Sequence, residues 1–561
     1  MNAQANFVGR ERGARGVSGS GIPAAIPAEA APPRGGAVTL ASLSGRMAGA
    51  YISETLARAI RAETGGSVLL IRLGASEGGR LFQEWARIEP QVNGEFGLAA
   101  HLEKGCAVPT LRIRLAEDGG DAAWVGSLSA HCRRHYRYVV WHAEADVPLA
   151  MLRECVRQSE HNFLLLQPTA ENLYHRDLLL REMRGQAEGD TLKTIVCREA
   201  GEEHFNELLK QMGSLVHGFI HGCPTAEVIA KGTEWADRSF HADIRRLARE
   251  VGRCRIGLAL SSGGARSLAH IGVIQVLEEN GIEFDVVAGC SMGAYIGAVW
   301  AFGYDGTTME MLAREVEHRW GLLELIDPFI LPRQGFLRGE KVKRRLKQSI
   351  GDAHFSELVR PLRIVATNLT TLERAIFANG EVAEAVHASS AIPGACVPVR
   401  MDGELYIDGG IADPLPVDVL REMGIERIIA VNTIPTPAYL RRRVELEREQ
   451  SARRSRRLHK LKGLLNHYLN YFAPGNILDT ILRSFNGAQM RVAELACLSA
   501  DVVLRPLSFD GRWHDFRHPG KYIALGREEA EEHLEEIKSL ITGKDLEYGP
   551  ELAHGALATI A

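Results

Sequence analysis

The pentapeptide from Gly289 to Gly293, which reads GCSMG, carries the clearest chemical signal in the chain. Its central residue, Ser291, is a hydroxyl nucleophile, and the glycines let the backbone bend sharply because they carry no Cβ atoms. An apolar segment at 284–288 predicts a strand before it, and the small, apolar segment 294–301 predicts a helix after it. In this context a G-x-S-x-G motif exposes a nucleophilic serine. The competing interpretation, an ordinary glycine-rich turn, is the one that the pentapeptide alone favours.

A second glycine-rich segment, Ser261–Ser267, follows a predicted strand and opens a predicted amphipathic helix at 268–280. Its consecutive small residues, among them Gly263 and Gly264, expose backbone N–H groups that can hold a phosphate or stabilise an oxyanion. A nucleotide-binding loop is the alternative. The segment lacks both the full G-x-G-x-x-G pattern and the G-K-[ST] ending, so the sequence argues against that alternative.

A third feature is the run Tyr406–Gly410, in which Asp408 precedes two glycines and for which we predict a turn. An aspartate before glycines is often only a turn residue. Upstream, Ala388–Gly394 predicts a helix that ends in a loop.

These three features, in this order, resemble the patatin-like phospholipases over about residues 256–435, and the layout is most similar to the bacterial relatives of neuropathy target esterase. The resemblance implies a C-terminal three-layer α/β/α hydrolase domain that uses a Ser–Asp dyad. It implies that Ser291 is the nucleophile and that Asp408 takes its proton. The acyl group would transfer to the serine and be released by water. A carboxylate can do this near neutral pH only in a desolvated site that raises its pKa.

The resemblance also implies that Gly263 and Gly264 form the oxyanion hole and that Arg266 supports their loop. The chain departs from the family at three places in this loop, where serine stands in place of glycine, namely Ser261, Ser262 and Ser267. Serine tolerates a positive φ poorly, so a distorted oxyanion hole and slow turnover are expected if Ser262 or Ser267 must adopt one.

His270 and His387 are the histidines that could suggest a Ser–His–Asp triad. His270 lies on the helix after the glycine-rich loop, and His387 lies on a predicted helical segment. We predict that both are structural histidines and leave them out of the dyad.

The 561 residues exceed what one hydrophobic core can hold, which is roughly 250–300 residues, so several domains are expected. Apolar residues make up 45% of the chain and the net charge is −4, which argues against a general attraction to nucleic acid. The nine cysteines are scattered, and we predict a reduced intracellular chain with no metal and no cofactor. The predicted order is a disordered arm at 1–36, an α/β domain at 37–224, a helical linker at 225–254, the patatin-like domain at 255–436, a basic helical insertion at 437–475, and the completion of that domain with a tail at 476–561.

The predicted N-terminal α/β domain begins with a strand at 37–43 and a helix at 51–63, and its order of strands resembles the deviant-Walker ATPases of chromosome partitioning. The loop at 45–51 lies where a phosphate loop would lie. Ala50 stands in the position of the lysine and Tyr51 in that of the Mg²⁺-binding hydroxyl. We therefore predict a degenerate P-loop-like domain that serves packing or regulation.

The segment Arg441–Lys462 contains ten Lys or Arg residues against three Glu, and an apolar, aromatic stretch follows it. An interfacial helix on anionic lipid and a solvated helix inserted into the domain explain this pattern equally well. No apolar run reaches the ~18–20 residues that cross a bilayer. We expect a cytoplasmic protein that contacts the inner membrane face peripherally.

The function that the sequence favours is a serine esterase that hydrolyses phospholipids or lysophospholipids. A scaffold with weakened catalysis is the alternative, because both glycine-rich loops depart from their families. A third hypothesis, a nucleotide-dependent switch, needs ATP or GTP to bind at 44–51.

Overall fold

The computed structural model describes fourteen parts of the chain, namely residues 35–43, 48–74, 80–81, 102, 106–115, 122–183, 192–199, 216–230, 237–317, 327, 337–452, 477–508, 511 and 514–542. The predicted disordered arm lies outside these residues, apart from its last two.

Eight parallel strands form the first sheet, in the order β3-β4-β2-β5-β1-β6-β7-β8. They are β1 (Ala37–Ser42), β2 (Val68–Gly74), β3 (Arg80–Leu81), β4 (Thr110–Arg114), β5 (Tyr138–Ala143), β6 (His161–Leu166), β7 (Leu192–Cys197) and β8 (Val216–Ile220). The central strands are buried along their whole length because helices cover both faces, so their sequences read as continuous apolar runs.

Six helices of the described residues accompany this sheet: α1 (Gly49–Thr64), α2 (Trp124–His135), α3 (Leu149–Arg157), α4 (Ala170–Met183), α5 (Ala226–Ala230) and α6 (Arg238–Val251). Apolar runs at 37–43, 67–73, 138–141 and 162–166 predict four strands of this sheet, and the structure confirms them within two residues. Strands β3, β4, β7 and β8 were not predicted. The sequence of β8, VHGFI, explains its omission, since a histidine and a glycine interrupt its apolar pattern.

Eight strands form the second sheet, which is mixed and has the order β13-β14-β11-β10-β9-β15-β16, with β12 paired to β11. They are β9 (Ile256–Leu260), β10 (Val286–Cys290), β11 (Leu362–Asn368), β12 (Arg374–Phe377), β13 (Val399–Met401), β14 (Glu404–Asp408), β15 (Arg427–Val431) and β16 (Val502–Leu504). Strands β9, β10, β11, β15 and β16 are parallel, and the other three pair antiparallel. The segment at 406–408, predicted as a turn, is therefore the end of an edge hairpin.

In this part the described segments of the chain contain ten helices: α7 (Ala269–Glu279), α8 (Met292–Phe302), α9 (Gly306–Arg314), α10 (Glu340–Ile350), α11 (Val382–Ser389), α12 (Val417–Glu422), α13 (Pro437–Ala452), α14 (Ile477–Cys497), α15 (Pro519–Glu532) and α16 (Leu534–Thr542). Separate apolar clusters cover the two faces of the sheet, so the predicted α/β layering is confirmed. The basic segment is helical up to Ala452, and 453–476 lies outside the described residues.

The amphipathic, Glu-rich pattern over 527–540 predicts a single C-terminal helix. That prediction is wrong in its bounds, because two helices, α15 and α16, occupy the region. Helix α15 begins at Pro519, and it includes Gly526, which pattern reading treats as a helix breaker. In the fold, Gly526 approaches the backbone of Ala269 and Gly272 approaches that of Ile523. These glycines let α15 pack directly on α7, the helix that follows the glycine-rich loop.

Helix α6 packs against α1 on the first sheet and leads into β9 of the second. Its Arg249 pairs with Asp285, which precedes β10, at 2.7 Å and with Glu63 at the end of α1 at 3.4 Å. Among the described residues, none of the helices has the length and apolar character needed to cross a lipid bilayer.

Candidate active site

Ser291 lies on a sharp turn between β10 and α8, at the carboxyl edge of the parallel strands. Its backbone has φ 54° and ψ −120°, a strained conformation for a residue with a side chain. The flanking glycines are required by contact: a Cβ atom on Gly289 would lie 2.7 Å from the carbonyl oxygen of Gly293, and one on Gly293 would collide with the carbonyl oxygens of Leu260 and Ser261. The elbow predicted from the sequence is present, and its serine is 7% exposed.

Asp408 ends β14 and lies beside Ser291, 117 residues earlier in the chain. Oγ of Ser291 donates a hydrogen bond of 2.6 Å to Oδ2 of Asp408. The other carboxylate oxygen, Oδ1, accepts from N–H of Gly410 at 2.7 Å. Burial raises the pKa of Asp408 to about 6, although the hydrogen bonds from Ser291 and Gly410 act in the opposite direction. The pair therefore combines a hydroxyl with a desolvated base.

The end of α11 anchors both members of this pair. N–H of Ser291 donates to Oγ of Ser389 at 2.8 Å, and that hydroxyl donates to the carbonyl oxygen of Val365 at 2.6 Å. N–H of Asp408 donates to the carbonyl oxygen of Ala391 at 2.9 Å. Sequence reasoning identified 388–394 as a segment but gave Ser389 no role.

The glycine-rich loop follows β9, next to the elbow, and forms a 3₁₀ turn over Gly264–Leu268. Gly264 has φ 61°, a left-handed backbone conformation that favours glycine. Among the described residues, the non-glycine residues with a positive φ are Arg253, Ser291, Leu372 and Asp402, and of these none belongs to the loop. The N–H groups of Gly263 and Gly264 have no hydrogen-bond acceptor among the described residues. They are available to a ligand, while the N–H of Ser291 already donates to Ser389.

A buried hydroxyl beside a buried carboxylate, next to two free backbone N–H groups, can activate a serine for attack on an acyl carbon. Residues 258–421, which contain both groups, match the family model described as patatin-like phospholipase. The chain contains a patatin-like phospholipase domain.

Two curated proteins are similar to this chain over part of their length. An uncharacterized NTE family protein of Mycobacterium tuberculosis is 40% identical over 178 residues, which cover 32% of this chain and 49% of that protein. Lysophospholipase nte1 of Aspergillus fumigatus is 29% identical over 231 residues, which cover 41% of this chain and 15% of that protein. The chain thus spans at most about half the length of these relatives. The predicted resemblance to the patatin-like and NTE families is confirmed.

Among solved structures, a ParA family ATPase from Chlorobium tepidum is similar at a TM-score of 0.31 and 12% sequence identity. The similar region covers 38% of this chain and 97% of that one.

The three serines of the patatin-like domain's glycine-rich loop do not meet the condition under which distortion was expected. None of them has a positive φ. Thr433, which follows β15, holds the loop instead: its N–H donates to Oγ of Ser261 at 2.9 Å, and its hydroxyl donates to the carbonyl oxygen of Ser262 at 3.1 Å. Oγ of Ser267 lies 3.1 Å from the same threonine hydroxyl. The hydroxyls of Ser261 and Ser267 thus form a buried cluster with that of Thr433, which pattern reading did not find. Oγ of Ser262 is buried and has no partner among the described residues.

Arg266 lies on the 3₁₀ turn, and its Nε donates to the carbonyl oxygen of Gly263 at 3.3 Å. His270 donates from Nε2 to the carbonyl oxygen of Ser261 at 3.0 Å, and burial lowers its pKa to about 4. Nε2 of His387 donates to the carbonyl oxygen of Arg338 at 3.1 Å. Neither imidazole contacts the Ser–Asp pair of the patatin-like domain, as predicted.

Proposed function

We propose that this chain is a serine esterase that hydrolyses the acyl esters of phospholipids or lysophospholipids. The 2.6 Å hydrogen bond between Ser291 and the buried Asp408 carries this proposal. The description of the matched family and the name of the lysophospholipase relative support a phospholipid ester as the substrate class.

In the first half of the proposed reaction, Oγ of Ser291 attacks the ester carbonyl carbon while Asp408 takes the hydroxyl proton. The oxyanion that forms is held by the N–H groups of Gly263 and Gly264, and Arg266 supports the carbonyl oxygen of Gly263. Collapse of this intermediate breaks the ester bond, and the departing alcohol receives the proton from Asp408. The acyl group remains on the serine as an acyl-enzyme.

In the second half, water attacks the acyl carbon and Asp408 takes one of its protons. The new tetrahedral intermediate collapses, the fatty acid leaves, and the proton returns from Asp408 to Oγ of Ser291. No nucleotide, metal or other cofactor enters this scheme.

We also propose that the domain meets lipid at its catalytic edge. The register Ala366↔Asp408 puts Leu369 three residues beyond the level of the dyad, roughly 10 Å further along β11. The connection to β12 exposes two leucines there, Leu369 at 37% and Leu372 at 65%. Exposed leucines on the rim of a lipid hydrolase suit insertion into a bilayer surface, which supports a peripheral protein at the inner membrane face.

For the first sheet we propose a degenerate phosphate-loop-like domain without nucleotide chemistry. Helix α1 begins at Gly49, and Ala50 and Tyr51 provide neither an ammonium group nor the hydroxyl that P-loops use for Mg²⁺. ATP or GTP should leave the melting temperature unchanged. A concentration-dependent rise would contradict this proposal and favour the nucleotide-dependent switch.

The esterase is tested by fatty acid release from vesicles of phosphatidylcholine and from lysophosphatidylcholine. The wild type should release fatty acid, and Ser291→Ala should not. Ser390, next to Ser389 at the end of α11, bonds through its hydroxyl to the carbonyl oxygen of Val386 in that helix, so Ser390→Ala should behave as the wild type. A fluorophosphonate should label the wild type at Ser291. A folded wild type that neither turns over lipid nor takes the label would favour the scaffold.

A further inference from the structure

Gln489 lies on α14, outside the residues that match the family model, yet it belongs to the surroundings of the dyad. The helix is fixed by its neighbours Met490 and Ala493, which are buried in the apolar cluster on this face of the second sheet. It packs on the 3₁₀ turn Gly409–Ile411 that follows Asp408. Gln489 is only 7% exposed.

The amide of Gln489 faces the Asp408 carboxylate across Gly410. A Cβ atom on Gly410 would collide with Nε2 of Gln489 and would lie 2.9 Å from Oδ1 of Asp408. Both atoms therefore border the space that the missing side chain leaves open. The first glycine of the D-G-G motif, Gly409, makes room for the carbonyl oxygen of Val365.

The side-chain amide of Gln489 has no hydrogen-bond partner among the residues that the structure describes. Nε2, its donor end, lies on the same side of Gly410 as Oδ1 of the carboxylate that the proposed reaction uses as a base. A carboxylate oxygen has two lone pairs, and the single N–H of Gly410 leaves one of those on Oδ1 open.

We propose that Gln489 is a positioning residue for Asp408. When the carboxylate is ionised, a small rotation of the glutamine side chain lets its amide N–H donate to Oδ1, and Oδ2 stays directed at Ser291. This inference rests on the proposed function. With Gly410 it gives Oδ1 two donors, which oppose rotation of the carboxylate away from the nucleophile. The donor favours the charged form of the base, whose pKa burial raises to about 6.

Other titratable groups near Asp408 must be considered. The thiols of Cys290 and Cys396 have pKa values that burial raises, so they stay neutral while Asp408 titrates. Asp413 is the neighbouring carboxylate whose pKa burial also raises to about 6, and it pairs with Arg374 at 3.2 Å. Asp413 therefore needs its own control.

The test measures how the rate at which a fluorophosphonate labels Ser291 depends on pH. This labelling reaction needs the dyad but no lipid. The rate should fall on the acid side as Asp408 becomes protonated. In Gln489→Met, which keeps the volume but removes the donor, the ionised base is less favoured. The midpoint of that fall should move up by about one pH unit. The same shift is expected when Asp413→Asn is present in both proteins.

Gln275→Met is the matched control, because Gln275 is a buried glutamine that bonds to Glu310 on the far side of α7. It should leave the midpoint where the wild type has it. A folded Gln489→Met protein whose midpoint equals that of the wild type would overturn the inference while the esterase proposal stands. A wild type that takes no label at any pH would overturn both.

Discussion

The hydroxyl of Ser389 bonds to the backbone N–H of Ser291 at 2.8 Å and holds the nucleophile's turn against the sheet. Because the same hydroxyl donates to the carbonyl oxygen of Val365, it joins the elbow to β11. This contact stabilises a serine whose φ is 54° and occupies that serine's own N–H.

Replacing Ser389 should therefore damage both stability and rate. In Ser389→Ala a buried N–H loses its acceptor, and the unfolding free energy should fall by about 1–3 kcal/mol. Misplacement of the nucleophile should lower kcat by about 10²-fold with a smaller change in KM. Ser390→Ala, one residue later, is the control for denaturation and kinetics. Equal kcat in the two variants would refute the positioning role.

How far the sequence predicts this site depends on how local each signal is. Ser291 and Gly264 were found because a turn imposes its residue types on neighbours in the chain. Ser389 and Thr433 were not found, because they contact their partners across 98 and 172 residues, and a single serine or threonine carries no local pattern. The conditional expectation that Ser262 would strain the loop also arose because only local sequence was considered. The contacts that hold the loop come from Thr433, which follows a different strand, β15.

The fold shows the same division. Buried central strands such as β1 and β10 were predicted because a parallel sheet covered on both faces requires continuous apolar runs. The hairpin that ends in Asp408 was mistaken for a turn, since its pairing to Ala366 depends on a strand some forty residues earlier.

Burial of Asp408 predicts a trade between stability and activity. Its pKa in the folded protein, about 6, exceeds the ordinary 3.8, so the folded state binds more protons than the unfolded state between these values. Stability from this group therefore falls as pH rises through that window. Asp408→Asn should abolish esterase activity and, at pH 8, raise the unfolding free energy by roughly 2–3 kcal/mol.

Chemical denaturation at pH 8 and at pH 4 checks this expectation, with the exposed Asp402→Asn as the control. The gain from Asp408→Asn should shrink toward pH 4, where the wild-type carboxyl is already protonated. A gain that is the same at both pH values would show that ionisation of Asp408 is not its source.

The hydroxyl cluster around Thr433 predicts a second rate effect. Thr433→Val removes the donor to the carbonyl oxygen of Ser262 and the partner of Ser267 but keeps the branched shape. The loop that presents Gly263 and Gly264 then loses a restraint, and kcat should fall by about 10²-fold. Thr194→Val, a buried threonine of β7, is the control. Unchanged kcat in a folded Thr433→Val protein would mean that the loop keeps its shape without the cluster.

Leu372 on the rim predicts opposite effects on stability and on lipid binding. It has φ 61° and is 65% exposed, so its side chain gains little from the protein while its backbone is strained. Leu372→Asn should relieve that strain and raise the unfolding free energy by about 1 kcal/mol, because asparagine adopts this conformation more readily. It should also weaken binding to phosphatidylcholine–phosphatidylglycerol vesicles tenfold or more, by roughly the burial energy of one leucine.

Hydrolysis of a short, soluble ester should stay unchanged in Leu372→Asn, since the dyad lies roughly 10 Å below the rim. Val359→Asn is the matched control: that valine is 45% exposed but precedes β11, at the opposite edge of the sheet. If both variants lose vesicle binding equally, any exposed apolar side chain has the same effect, and Leu372 has no special part in lipid binding. If Leu372→Asn binds vesicles as well as the wild type does, lipid does not approach over this hairpin, and the basic helix α13 becomes the next surface to test.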